Sequence, residues 1–361
     1  MMRYNYEYEK RLRVGYIGAG EYSYRTILPS FRYSPIDLVA LVDADTDRGL
    51  SVARQFGARH FYPNHKAMLA KEEMEAVFIV VGLDAEGHSR YPELADEALR
   101  AGFHTWIDTP PCTSADDITT FTNACLPHHK YLMTNFKKMF MPAYVKAAQI
   151  IEDPEFGGVS TFSMRYPLSL PPTEEREDDL AMIPFLEFIH PYSLLLRLFG
   201  ECEGLMYMRS PRTGGAVMNI RYTSGVVGTL HLTGGQSLNS PLERLEIVGD
   251  DANLLVENGI RLLYYRPGGQ RGDGEEEPNR QTSFIGPDDN APIIWEPEFS
   301  LGRLYNKQIF LQGYVGSVTH FAERLLAEEP PVYGNLVDML HVMNVYDNIR
   351  HGQENEWITP H

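Results

Sequence analysis

Gly18-Ala19-Gly20-Glu21-Tyr22-Ser23 stands at the end of the apolar run RVGYIG (13–18), and Asp43 follows Gly20 by 23 residues at the end of a second such run, IDLVALVD (36–43). A first glycine permits a tight turn. A second lets backbone N–H groups close on a pyrophosphate at a helix mouth, where unpaired N–H groups favour anions. Ser23 takes the place of the third glycine in that fingerprint. A carboxylate at the second strand end accepts hydrogen bonds from a ribose diol and repels a 2′-phosphate. The spacing predicts a dinucleotide site on Gly18, Gly20, Glu21, Tyr22 and Asp43, with NAD preferred to NADP. Arg48 lies close enough in sequence to work against that preference. A further apolar run, HTWID (104–108), ends in Asp108-Thr109-Pro110-Pro111. Chemistry gathers at strand carboxyl ends in open α/β sheets, so this ending raises the question of which residue brings a charge there, since Thr109 carries none.

The elements that would position these residues are legible as apolar runs. EAVFIVVG (75–82) is another strand, and YLMTNF (131–136) a sixth-strand candidate. Their continuous apolarity predicts parallel strands covered on both faces. In YPELADEALRAG, Tyr91, Leu94, Ala95, Ala98 and Leu99 form one helical stripe, with Gly102 as the terminating glycine. Alternating units of this kind specify a doubly wound Rossmann sheet. From about residue 158 the pattern changes. VSTFSMRY places Phe162, Met164 and Tyr166 on one face, AVMNIRY and VVGTLHL flank Thr223-Ser224-Gly225, and NLLVE and IRLLYY flank Asn258-Gly259. These are antiparallel hairpins. The stretch 268–281 reads as a solvated loop, and two helical stripes close the chain, one on Val315, Val318, Phe321 and Leu325, the other on Leu336, Met339, Leu340 and Met343.

Composition narrows the function classes. The 361 residues carry a formal net charge of −17, which argues against nucleic acid or an anionic membrane as partner. Three cysteines make no disulfide framework, and favour a reducing compartment. Cys125, His128 and His129 lack a second ligand pair, so no metal site is expected. The start MMRYNYEYEKRLR lacks the apolar core of a signal peptide, and no apolar run is read as approaching the ~20 residues of a membrane helix. A cytoplasmic protein is the expectation.

The chain resembles the glucose–fructose oxidoreductase/inositol dehydrogenase (Gfo/Idh/MocA) family over nearly its whole length. The likeness rests on VGYIGAG, on EAVFIVVGLDAEGHSRYPELADEALRAGFHTWIDTPPCTS, on TNFKKMFMPAY, and on FIHPYSLLLRLFGE. It implies an N-terminal Rossmann domain (1–136) and a substrate and oligomerisation domain (137–361) built on a large open, mostly antiparallel sheet. It also implies homo-oligomers, dimer or tetramer, formed across that sheet, and NAD(P)-dependent oxidation or reduction of a sugar or polyol. The family's fifth strand usually ends Glu-Lys-Pro; here it ends Asp108-Thr109-Pro110. The resemblance therefore leaves Asp108 and Thr109 in the nicotinamide pocket and asks for a displaced cation, for which Lys137 and Lys138 are the choices, Lys137 slightly preferred. His190 becomes the proton-shuttling base, with a pKa near working pH. The family's usual aspartate position holds Leu186, with Glu187 one residue off. Pro191 predicts that the helix starts near it, with His190 at the mouth.

His88 matches the family histidine opening the helix after the fourth strand, and is expected to orient cofactor or loop. Arg165, Tyr166 and Glu187 are candidate substrate contacts, and Tyr305 a weaker one. TEEREDD (173–179) reads as a solvated loop, with a place over the cleft as the alternative. The function expected is hydride transfer between nicotinamide and a hydroxyl-bearing carbon of a sugar, glycoside or cyclitol. The competing expectation is a catalytically silent NAD-binding sensor, since losing the lysine is what such a change would look like.

Overall fold

Two sheets divide the chain. In the computed structural model, which describes residues 3–237, 239–267, 292–297 and 307–360, the first comprises β1 (Leu12–Ile17), β2 (Ile36–Val42), β3 (His60–Tyr62), β4 (Ala76–Ile79), β5 (His104–Ile107) and β6 (Leu132–Thr134). They run parallel in the order β3-β2-β1-β4-β5-β6. The connecting segments hold a π-helical turn (Ser23–Ile27) leading into α1 (Leu28–Ser30), then α2 (Thr46–Phe56), α3 (His65–Lys71), α4 (Tyr91–Arg100) and α5 (Asp117–His128). Every residue of β4 is buried, as a parallel strand covered on both faces requires. The apolar stripe of α4 is buried in full. Strand order reverses between β1 and β4, and the crevice outside their carboxyl ends is where this topology leaves room for a ligand.

After α6 (Pro142–Ile151) the second sheet begins with β7 (Thr161–Tyr166). Then come α7 (Asp179–Met182), a 3₁₀ segment (Ile183–Phe188) and α8 (Ile189–Phe199). The sheet continues through β8 (Cys202–Arg209), β9 (Ala216–Tyr222), β10 (Val227–Leu232), β11 (Arg244–Val248), β12 (Asn253–Glu257), β13 (Arg261–Tyr265) and β14 (Ile293–Trp295). The order is β14-β13-β12-β11-β7-β10-β9-β8, antiparallel except where β10 runs beside β7. Asn258 and Gly259 both have positive φ, 52° and 63°, the backbone that a two-residue hairpin of matching twist demands. One face is buried through Phe162, Met164, Leu230, Leu245 and Leu254, and Phe199 of α8 stacks on Phe162 at 4.7 Å. Loop 268–281 and Tyr305 lie outside the described residues.

Three helices finish the chain: α9 (Lys307–Leu311), α10 (Tyr314–Leu326) and α11 (Leu336–His351). They do not stay with the second sheet. Trp106 of β5 donates its indole N–H to Ser317 of α10 at 3.3 Å, and Phe321 of α10 meets Phe78 of β4 edge to face at 5.5 Å. A cut at 136/137 therefore separates the sheets in sequence, while the C-terminal chain supplies a layer of the first one. Asp179–Phe199 corrects a second expectation. It is apolar enough, at mean hydropathy 1.2, and long enough to cross a bilayer by composition. It is broken into α7, the 3₁₀ segment and α8, and 67% of its most apolar stretch is buried, which makes it core.

Candidate functional site

Gly18 ends β1 with φ +101°, and a Cβ there would lie 2.0 Å from the carbonyl oxygen of Val80. Only glycine fits this crossing of the β1 and β4 ends. At Gly20 an added Cβ would meet nothing within 4 Å. Its backbone faces a cleft of about 350 Å³ lined by Gly18, Gly20, Asp43, Arg48, Asn64 and His65 among others. Ser23, in the third-glycine position, donates its hydroxyl to Gly18 O at 2.7 Å, so the turn is tied by a side chain where the fingerprint uses close packing. The open glycine face and the strand-end carboxylate fit a dinucleotide. Glu21 turns its carboxylate outward to Arg25, and both are exposed. That leaves only its main chain for a cofactor.

Asp43 is buried, and its oxygens are already engaged. Ala19 N–H donates to Oδ2 at 2.6 Å, while Asp45 N–H and Arg48 Nη2 donate to Oδ1 at 2.8 and 2.7 Å. The carboxylate thus closes the glycine turn and is partly neutralised by a half-exposed guanidinium in the same cleft.

At the carboxyl end of β5, Asp108 is buried and accepts from Asn135 Nδ2 at 2.8 Å. Burial raises its carboxyl; the Asn135 hydrogen bond, the Thr109 N–H, the Lys137 charge and the Tyr22 hydroxyl oppose the rise. Tyr22 donates to the Tyr314 hydroxyl at 3.1 Å, with the rings edge to face at 6.0 Å. Lys137 opens the 3₁₀ turn Lys137–Phe140 that follows β6, and its ammonium lies 5.9 Å from the centre of the Tyr314 ring. Burial lowers its pKa from the ordinary lysine value, against the pull of the Glu187 and Asp108 carboxylates.

Lys138, the neighbouring choice, is committed elsewhere. Its ammonium pairs with Glu243 at 2.6 Å, over the Tyr166 ring at 5.1 Å and the Tyr144 ring at 5.7 Å. Tyr144 also donates to Glu243.

His190 is buried in the first turn of α8, one residue before Pro191, close to where the proline signal put it. Its Nε2 is 3.5 Å from Glu187 Oε2, and its Nδ1 is buried without a partner. Burial first, then the Lys137 and Lys138 charges, hold the imidazole well below its usual range. The expected pKa near working pH is therefore corrected: an imidazole out of water beside two ammoniums stays neutral. The Glu187 spacing has a physical reason. Residues 183–188 wind as a 3₁₀ helix, in which side chains three apart eclipse. A carboxylate three residues before the histidine reaches it here, while Leu186 is buried in the core.

Three other assignments are changed. His88 does not open the helix after β4. It sits in the preceding turn, 3.6 Å from Asp84 and 3.4 Å from Asp179, and the helix opens at Tyr91, whose hydroxyl bonds both backbone groups of Val81. The acidic stretch containing Asp179 is more than a solvated loop. Arg176 is fully buried, donating to Pro171 O, Ile349 O and the Tyr207 hydroxyl, and Asp179 pairs with Arg350 at 2.8 Å. Arg165 is separated from Tyr166 by the pleat. Tyr166 shares the inner face with Met164, while Arg165 lies on the outer face with Ser163, Arg244 and Glu246. Asn135, Glu243 and Tyr314 were missed. Asn135 had a signal, its place at the end of the strand beside β5. The other two arrive from remote elements and had none.

Residues 12–136 match the model of the GFO_IDH_MocA oxidoreductase family, NAD-binding Rossmann fold. Among curated proteins, the D-xylose 1-dehydrogenase (NADP(+)) 2 of Haloferax volcanii is 25% identical over 174 residues, 48% of this chain and 50% of that protein. The D-apiose dehydrogenase of Paraburkholderia graminis is 28% identical over 149 residues, 41% and 38% of the two chains. The match thus spans about half the length of the first of these relatives, and less of the second. Among solved structures, a dehydrogenase from Chromobacterium violaceum aligns with TM-score 0.77 at 18% identity, covering 94% of both chains. A levoglucosan dehydrogenase complexed with NADH and levoglucosan aligns with TM-score 0.74 at 16% identity, covering 98% of this chain and 100% of the other. These structural likenesses show the two-sheet fold.

Proposed function

We propose, for a chain whose residues 12–136 match the Gfo/Idh/MocA oxidoreductase family, an NAD-preferring dehydrogenase or reductase acting on a hydroxyl-bearing carbon of a sugar, glycoside or cyclitol. One observation carries the reading: Lys137, half-buried in the turn after β6, sets its ammonium 5.9 Å from the Tyr314 ring centre and within the fields of the Asp108 and Glu187 carboxylates, near the carboxyl end of β5. The relatives named for xylose, apiose and levoglucosan point to the same substrate class.

Bound nicotinamide would supply the hydride acceptor or donor. The chain's own groups handle the proton and the charge. Lys137 brings the side chain that Thr109 lacks: with its pKa lowered, its neutral amine takes the hydroxyl proton on oxidation and the resulting ammonium returns it on reduction. Glu187, beside Nε2 of His190, favours the tautomer protonated there and leaves Nδ1 as an acceptor for a substrate hydroxyl. Asp108, fixed by Asn135, orients the cation. Tyr166 and the Lys138–Glu243 pair form one wall. Gly18, Gly20 and Asp43 hold the dinucleotide. The three cysteines are free, which suits a reducing, cytoplasmic setting, and the outer face of the second sheet is where a second copy would dock.

A panel of aldoses, glycosides and cyclitols with NAD and NADP, followed by nicotinamide absorbance, tests this reading. Turnover on at least one neutral polyol is expected; tight NAD binding with no turnover across the panel contradicts it and leaves the sensor. Arg48 gives a separate expectation. Removing it in Arg48→Ala unmasks the Asp43 charge, so the ratio of NADPH to NADH dissociation constants should rise about two- to fivefold, as for a partly exposed ion pair. Asp43→Ala should lower that ratio, with some loss of affinity for both because Ala19 N–H loses its acceptor. Fluorescence titration of reduced cofactor reads both.

A further inference from the structure

The first turn of α10 is built against the turn that carries Lys137. Gly313 caps α10 with φ +84°, and a Cβ there would lie 2.2 Å from Lys137 O and 2.9 Å from Met141 N. One turn on, a Cβ at Gly316 would be 3.0 Å from Phe140 Cβ and Phe140 O. Two glycines thus let the helix backbone settle directly on residues 137–141. The first side chain of the helix, Tyr314, is 3% exposed, and it presents its ring to the Lys137 ammonium and its hydroxyl to Tyr22.

We propose that Tyr314 is a positioning residue: its ring, held in place by the Tyr22 hydroxyl, seats the Lys137 ammonium against Asp108. The first turn of α10 thereby completes a site whose other parts come from earlier in the chain. The inference rests on the reading of Lys137 as the cation of the site.

A ring face attracts an ammonium within about 6 Å of its centre, more strongly when water is excluded. The Tyr314 hydroxyl is pushed up to about 12, by burial first and also by the Asp108 and Glu187 charges. It therefore stays protonated and acts through its placement. The charged and titratable groups facing Lys137 are Asp108 from β5, Glu187 from the 3₁₀ segment, His190 from α8, and the Lys138–Glu243 pair, Glu243 lying just before β11.

Tyr314→Leu, Tyr314→Phe and Tyr22→Phe in the full chain test the proposal. Two readouts are needed. The first is the pH dependence of Lys137 reductive methylation, followed by mass spectrometry, which does not depend on turnover. The second is kcat and KM across pH with the best panel substrate. Tyr314→Leu removes the ring that steadies the ammonium and leaves an apolar side chain in its place, so the labelling midpoint should move further down from ordinary lysine, and kcat should fall up to about 100-fold, as for a misplaced reacting group. The dinucleotide KM should be unchanged. Tyr314→Phe keeps the ring and loses only the hydrogen bond from Tyr22, so it should behave like Tyr22→Phe and retain far more kcat than Tyr314→Leu. Tyr22→Phe should shift the midpoint in the same direction by less.

An unmoved midpoint in Tyr314→Leu overturns the proposal, and so does a Tyr314→Phe as impaired as the leucine variant. If Tyr314→Leu does not fold, an unmoved midpoint in Tyr22→Phe overturns it. If Lys137→Ala keeps full turnover, the catalytic reading fails, and the labelling midpoint still decides how the ammonium is seated.

Discussion

Lys137→Ala is expected to lower kcat by about 10²–10⁴, the usual worth of a positioned acid–base group, while leaving the dinucleotide dissociation constant unchanged. The loss should be large because none of the described side chains beside Lys137 can replace it. Thr109 is neutral, Lys138 is held by Glu243 between two tyrosine rings, and His190, its pKa held well below the usual range by burial and the two lysine charges, is a weak proton acceptor and brings no positive charge. Lys138→Ala should act mainly on stability, since it strands the Glu243 carboxylate in a part-buried site.

Lys137 also has a stability signature. Its folded pKa lies below the unfolded one, so in the window between them the unfolded chain binds more protons. Stability of the parent should therefore rise with pH through that window. Lys137→Met should be at least as stable as the parent below the window and should lack the rise. Thermal unfolding midpoints measured against pH give the comparison.

Gly18→Ala carries the second large effect. The added Cβ would sit 2.0 Å from a backbone oxygen that cannot rotate away, on a residue with φ +101°. Strain at such a backbone position costs about 1–3 kcal/mol, and overpacking adds about 1–3 kcal/mol more. Dinucleotide binding should be lost as the glycine turn shifts. Gly20→Ala is the contrast: an added methyl meets nothing in the protein, so stability should hold while cofactor affinity drops, because the methyl occupies the space the pyrophosphate needs. Denaturant unfolding and fluorescence titration separate the two. Equal stability losses would mean that the open face at Gly20 is not a ligand surface.

The fold was largely legible because its signals are local. Continuous apolarity marked the parallel strands, and Asn258-Gly259 fixed a hairpin through the backbone such a turn requires. The glycine run and Asp43 were legible as a strand–turn–helix unit. Less legible was what Asp43 does, because a spacing shows that a carboxylate ends a strand and not that Ala19 N–H and Arg48 already occupy it. His190 was found by its neighbours in sequence. Its neutrality was not, since the ammoniums beside it come from a turn more than fifty residues earlier. Tyr314 and Glu243 reach the site only through tertiary packing of α10 and the start of β11. Arg165 and Tyr166 were read together from their adjacency, whereas the pleat sends them to opposite faces of the strand. The 3₁₀ winding before α8, which brings Glu187 to His190, has no strong sequence mark beyond Pro184 and Pro191.

The sharpest check on Lys137 is chemical rescue. Lys137→Ala should be assayed at saturating dinucleotide with the best panel substrate, and with increasing methylammonium at fixed pH and ionic strength. If the Lys137 side chain supplies the missing ammonium, the small amine enters the vacated space and turnover rises with its concentration toward saturation, most at pH values where the amine has a free-base fraction. If Lys137→Ala binds the dinucleotide like the parent and turns over at the parent's rate without any amine, the charge comes from elsewhere and the account fails.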